Sequence, residues 1–135
     1  VNVKNDNGET PLDYAKGEIT DLLRKHGGKT REEILDEMAK RSINNAVYYG
    51  NIEAVKQHLA AGTDVNAIDV NGETPLLGAV IHVHKGIAEL LISKGAEVNA
   101  KNEWGWTPLH HAASKEIAEL HIGNGADRNA MNDRG

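Results

Sequence analysis

One spacing constrains this chain more than any other feature. Gly62 and Gly95, Asn66 and Asn99, and Thr74 and Thr107 are each 33 residues apart. Residue types that return in phase at such a period mark a stack of short repeated units, each burying its apolar face only against its neighbours. Composition agrees with that reading. Apolar residues make up 39% of the chain but aromatics only 4%, with no Phe, so small aliphatic side chains must do the packing. Fourteen Gly against three Pro, scattered singly, punctuate short regular elements and do not form a flexible linker.

The repeated unit has a readable start. Gly-x-Thr-Pro-Leu occurs at Gly8 to Leu12, Gly72 to Leu76 and Gly105 to Leu109. Gly permits positive φ at a turn tip, Thr caps a helix through its hydroxyl, and Pro at the first helical position gives up an N–H that had no partner there. In the central unit Leu76, Ala79 and Val80 fall on one helix face, and Ile87, Leu90 and Leu91 form a second stripe that ends at Gly95. Gly95 stands where a left-handed C-terminal cap is wanted, and Ala96 to Ala100 leads into the next turn. The unit reads as helix, tight turn, helix, extended finger.

These residues resemble the ankyrin repeat, whose signature joins Gly-x-Thr-Pro-Leu-His to a helix pair and then to Gly-Ala-Asp-Val-Asn-Ala. Thr107-Pro108-Leu109-His110, Gly95 to Ala100 and Gly62 to Ala67 carry the match, which extends over all of the chain except about residues 29–41. The resemblance implies an all-α solenoid of helix-turn-helix units with short β-hairpin-like fingers. It also implies an open groove that binds a protein partner, with no cofactor and no enclosed reaction cavity.

Residues 1–28 read as the finger and helix pair of one unit, resembling the end of an array and shortened between Ala15 and Ile19. In residues 29–41, Thr30 and Glu33 form a capping-box pattern ahead of Ile34, Leu35 and Met38, which predicts a linker helix. Residues 42–68 make a helix pair without Thr-Pro, with Ile43, Ala46, Val47, Val55 and Leu59 facing the core, like an N-terminal capping unit. Residues 69–101 are the best match. Residues 102–130 are the poorest, and a further finger starts after them. Gly95 to Gly125 spans only 30 residues, and the shortening, either a true deletion or missing residues, falls between Ser114 and Lys115. His121 replaces an expected core aliphatic there and Arg128 replaces the finger Val, so this end is expected to fray. Val1 and Gly135 both fall inside a finger, and the chain is expected to be a piece of something longer.

Several chemistries are excluded or weak. The absence of Cys removes disulfides, thiolate zinc sites and a cysteine nucleophile. A net charge of -5 gives no general attraction to nucleic acid or anionic lipid. No apolar run reaches the length of a membrane span and the N-terminus lacks a signal pattern, so the expectation is a soluble, cytoplasmic protein. Gly28-Lys29-Thr30 shares the end of a phosphate-binding loop, but Leu23 stands where that loop needs Gly and no strand precedes it. His82 with His84, and His110 with His111, are too few to make a metal site, and His110 is an ordinary residue of the family's turn. Ser42, Ser93 and Ser114 lack the flanking glycines of a nucleophile elbow. No catalytic or metal-ligating residue is assigned.

The five aromatics are more informative. Tyr48 and Tyr49 end a first helix, and Trp104 and Trp106 bracket the tip Gly105. In proteins of this family such positions lie on the concave face, and rigid amphipathic rings are common interface anchors. Val70, Asn71, Glu73, Ile81, His82 and Glu103 occupy corresponding variable positions. Together they make the candidate partner-binding surface, with packing of Trp106 on the adjacent finger as the competing structural role. The expected function is a non-catalytic scaffold for a protein partner, with no small-molecule substrate, nucleic acid or membrane. The alternatives are a regulatory or targeting segment of a longer polypeptide that carries an enzyme elsewhere, or a structural spacer between two arrays.

Overall fold

The computed structural model describes residues 3–14 and 18–134, with the side chains of Glu18, Ile19 and Leu23 left aside. The expected shortening after Ala15 thus lies in part outside the described residues. The described elements are α1 (Pro11–Tyr14), α2 (Glu18–Lys25), α3 (Arg31–Ala39), α4 (Ile43–Tyr48), α5 (Ile52–Ala60), α6 (Pro75–Ile81), α7 (Lys85–Ser93), a 3-10 helix (Pro108–His111) and α8 (Lys115–Gly123). No strand occurs among the described residues. The chain divides into two compact units, residues 1–38 and 39–135.

In the first unit, Leu12 and Thr10 are buried. Asp13 gathers the turn around itself. Its Oδ2 accepts from the Thr10 amide at 2.6 Å, and both its oxygens accept from the Arg31 amide. The Thr10 amide and, less strongly, the Arg31 amide hold this carboxyl below its ordinary value, outweighing a desolvation that pushes the other way. The capping box of α3 forms as its sequence predicts: the Thr30 amide donates to Glu33 Oε2 at 2.9 Å and the Glu33 amide to Thr30 Oγ1 at 3.2 Å. Arg24 lies 2.6 Å from Glu33, and Lys29 pairs with Glu37.

The second unit is a solenoid. First helices pack on first helices (α4 on α6, α6 on the 3-10 helix), and each also packs on its own second helix. Ile43, Ala46 and Val47 of α4, Val55 of α5, Leu76 and Ala79 of α6, and Ile87 and Leu91 of α7 share one buried core, with Leu59 and Leu90 half-buried against it. Truncating a leucine at such a site costs about 2–5 kcal/mol. Thr74 Oγ1 caps α6 as its motif predicts, accepting from the Leu77 amide, and Ser42 Oγ and Ser114 Oγ cap α4 and α8 in the same way, accepting from the amides of Asn45 and Ile117.

The fingers are tight turns and not hairpins of strands. At each tip one residue's side-chain oxygen accepts two amides, those of Asn7 and Glu9 for Asn5, of Asn71 and Glu73 for Asp69, and of Trp104 and Trp106 for Asn102. The tip glycines Gly8, Gly72 and Gly105 have φ of 76°, 71° and 73°, values a side chain disfavours. Successive repeats are tied by asparagines. Asn66 Oδ1 accepts from the Glu97 amide at 2.9 Å, and Asn99 Oδ1 accepts from the Asp127 amide at 2.7 Å.

The last repeat is altered in a specific way. Its first helix is only the 3-10 turn, whereas α8 forms over Lys115–Gly123 with Ser114 as its cap. His121 is fully buried in place of an aliphatic side chain. Its Nδ1 donates to the Ile117 carbonyl at 2.8 Å, and its Nε2 is buried without a hydrogen-bond partner. The sequence change therefore appears as a shortened first helix and a mismatched core position, with the second helix formed.

Candidate functional site

The second unit carries a groove of about 600 Å³ between α4, α6 and the finger at residues 68–73. Its origin is local. The α4 helix ends at Tyr48 with Tyr49 as C-cap, and α6 ends at Ile81 with His82 as C-cap, so one helix turn on each presents rings towards the finger side. Gly78 on α6 leaves room in the wall, where an added Cβ would lie 3.4 Å from Val47.

The ring cluster is ordered by edge contacts. Tyr48 meets Tyr49 with centroids 5.0 Å apart at 85°, and meets His82 at 4.8 Å and 76°. Tyr48 stays 58% exposed. Tyr49 is half-buried against the core, so it supports Tyr48 more than it offers itself to solvent. His82 also stacks on His84 at 6.2 Å, and among the described residues no third His, Asp or Glu joins them in a cluster that could hold a metal ion.

Opposite the rings stand Ile68, Asp69, Val70 and Glu73 of the finger. Val70 is 95% exposed and Ile68 is 67% exposed. Asp69 is held in place because its Oδ1 closes the turn. The half-buried Glu73 carboxylate has no hydrogen bond or ion pair among the described residues. Burial, and then repulsion from Asp69, pushes its pKa above the ordinary carboxylate value.

Of the residues singled out from sequence, the structure places Tyr48, Val70, Glu73 and His82 in the lining of this one groove. Tyr49 and the exposed Ile81 neighbour it, and Asn71 is exposed at the finger tip. Glu103 belongs to the next finger and lies over Gly72, where an added Cβ would come within 3.0 Å of its Cγ. Trp104 is 53% exposed, outside the groove lining. Trp106 is half-buried and packs on His110 and His111 of its own repeat at 5.4 and 5.0 Å. Burial, and then the neighbouring His110, lowers the His111 pKa. Sequence reasoning missed Ile68 and Asp69, because an Asp before Val-Asn-Gly reads simply as a turn former. His110 serves the turn, with Nδ1 accepting from the Thr107 amide at 3.1 Å. No described helix is long and apolar enough to cross a membrane.

Comparison with known proteins bears on what such a groove is for. Residues 43–132 match the family model for ankyrin repeats in three copies. An ankyrin repeat-containing protein of Schizosaccharomyces pombe is 37% identical over 60 residues, covering 44% of this chain and 29% of the relative. A tyrosine-protein kinase of Hydra vulgaris is 33% identical over 104 residues, covering 67% of this chain and 14% of the kinase. The RelA-associated inhibitor of Mus musculus is 33% identical over 99 residues, covering 72% of this chain and 12% of the relative. The chain thus spans less than a third of the length of each of these relatives. Ankyrin repeats are generally protein–protein interaction modules, and a domain built of them is typically non-catalytic. With the 33-residue period, the stacked helix pairs and more than half of the chain under the family model, this chain belongs to the ankyrin-repeat family.

Proposed function

We propose that the second unit binds a protein partner on the face formed by its finger tips and first helices, without catalysis of its own. One observation carries the reading: Tyr48, Val70, Glu73 and His82 converge on a single open groove while Tyr48 and Val70 remain largely exposed. Exposed rings fixed by edge contacts lose little conformational freedom on binding, which is what an interface anchor requires. The wider contact face comprises Tyr49, Asn71, Ile81, Glu103, Trp104 and Trp106.

Affinity capture with the wild-type chain and with Tyr48→Ala and Trp104→Ala variants tests this. Each change is expected to weaken partner retention by about 1–4 kcal/mol with helical content unchanged by circular dichroism. Trp106→Ala serves as a contrast, because its ring packs on His110 and His111 and its loss reaches stability as well as binding. Retention at full strength by both Tyr48→Ala and Trp104→Ala refutes the assignment of this face.

A second reading is that the chain is a regulatory or targeting part of a longer polypeptide with an enzyme elsewhere. The low share of the Hydra kinase that it spans favours this. The flanking reading frame decides it: an adjoining catalytic domain supports the reading and its lack removes it.

A further inference from the structure

We propose that the groove between α4, α6 and the finger at residues 68–73 takes a basic side chain, an arginine or lysine in an extended segment of the partner polypeptide. Asp69 and Glu73 would be its counter-charges, and the Tyr48 and His82 rings would lie against its stem. This rests on the assignment of the same face as the binding surface and goes further by naming the chemistry of what enters it.

The charge pattern is the first support. Among the residues that line the groove, Asp69 and Glu73 are the only Asp or Glu, and no Lys or Arg lines it. The second support is that neither negative charge is needed for the fold. Asp69 performs the turn-closing task that the neutral Asn5 and Asn102 perform in the other two fingers, with the same pair of amide hydrogen bonds. Its charge is therefore surplus to the turn. The Glu73 side chain accepts no hydrogen bond from the turn and has no cation beside it among the described residues. Two half-buried carboxylate residues in one wall repel each other, and a cation between them relieves both desolvation and repulsion.

The ring geometry fits the same occupant. Tyr48 is held edge-on to His82 at 4.8 Å, leaving ring surface open towards the groove, where a guanidinium or an ammonium stem gains both apolar contact and attraction to the π face. Ile68 and Val70 add an apolar rim beside the carboxylates, suited to an aliphatic neighbour of the basic residue.

The test uses the 135-residue chain and a display library of random twelve-residue peptides. The expected result is enrichment of Arg or Lys at one position. A synthetic copy of an enriched peptide should lose about tenfold or more in affinity when that residue is replaced by citrulline or norleucine. It should lose a similar factor on the Asp69→Asn, Glu73→Gln double variant, whose finger still has the amide acceptors of its siblings and whose folding is checked by circular dichroism. Binding should weaken as salt rises.

Enriched peptides that depend on Tyr48 and Trp104 but carry acidic or only apolar residues overturn the cation assignment and leave the binding face standing. Peptides unaffected by Tyr48→Ala and Trp104→Ala, or no enrichment at all, overturn both. Self-association of the chain that Tyr48→Ala abolishes would show the groove filled by a second copy, and also overturns the cation assignment.

Discussion

Val83 holds a left-handed backbone that a β-branched residue disfavours, and replacing it with glycine is expected to stabilise the protein. The α6–α7 turn repeats the α4–α5 turn bond for bond. The Gly50 amide donates to the Val47 carbonyl at 2.9 Å and the Asn51 amide to Ala46, while the Val83 amide donates to Val80 at 3.1 Å and the His84 amide to Ala79. This helix-ending geometry places one residue in the left-handed region. Gly50 has φ of 67° and Val83 has φ of 59°, and Val83 is the only described non-glycine residue with positive φ.

Left-handed backbone costs a side-chain-bearing residue about 1–2 kcal/mol, and a β-branched residue stands at the upper end. Against that relief, glycine loses about 0.5–1 kcal/mol to the greater freedom of the unfolded chain. Val83 is 53% exposed, so roughly half of the ~1.5 kcal/mol of a buried valine is also forgone. The net expectation for Val83→Gly is a gain of about 0.5 kcal/mol, or a rise of about 2–4 °C in Tm.

The mirror change makes the comparison sharper. Gly50→Val meets the same backbone strain and a direct clash, since a Cβ at Gly50 would lie 2.8 Å from the His84 ring. It should lose about 2 kcal/mol or more. Urea unfolding followed by circular dichroism measures both variants. A Val83→Gly protein less stable than the parent would refute the claim that this turn stores strain.

Two further outcomes follow from buried and charged groups. His121→Leu removes a buried nitrogen without a partner and restores the aliphatic type that Leu91 supplies four residues before its own glycine, so the last repeat should gain about 1–3 kcal/mol, read as slower amide exchange in α8. In the first unit the folded-state pKa of Asp13 lies below its ordinary 3.8, so its contribution is complete above that value and is lost as pH falls through the lower folded value. Amide-exchange protection in residues 18–31, taken relative to the intrinsic rate at each pH, should therefore fall on acidification below about pH 4, and Asp13→Asn should flatten that dependence.

Much of this architecture is legible in the sequence because turn and cap chemistry is local. Thr74, Ser42, Ser114 and the Thr30–Glu33 pair act on amides three residues away, so spacing alone exposes them. The aliphatic stripes of α4 to α7 are equally local in origin, and the residues that their periodicity selects are buried apart from Leu59 and Leu90, which are half-buried against the core. What spacing could not show is non-local or conformational. The left-handed state of Val83 is imposed by the helix pair around it and opposes the residue's own preference. The repeat register puts His121 at a core position, but that its Nε2 finds no hydrogen-bond partner there depends on its neighbours in space. Asp69 reads as a turn former until the fold brings its finger into the same groove as Tyr48 and His82. Trp104 and Trp106, two residues apart in sequence, divide into an exposed ring and a packed one only once the 3-10 helix sets His110 and His111 beside the latter.

The asparagine ties between repeats have a direction. Asn66 and Asn99 each extend a side chain forward and accept an amide of the following finger, at Glu97 and Asp127. Both ties are exposed, however, so water can take over either partner when a tie breaks, and whatever free energy the tie contributes is withdrawn equally from the repeats on both sides. Loosening near residue 66 and loosening near residue 97 therefore reach each other to the same extent, and the stack couples its neighbours as links that pull both ways.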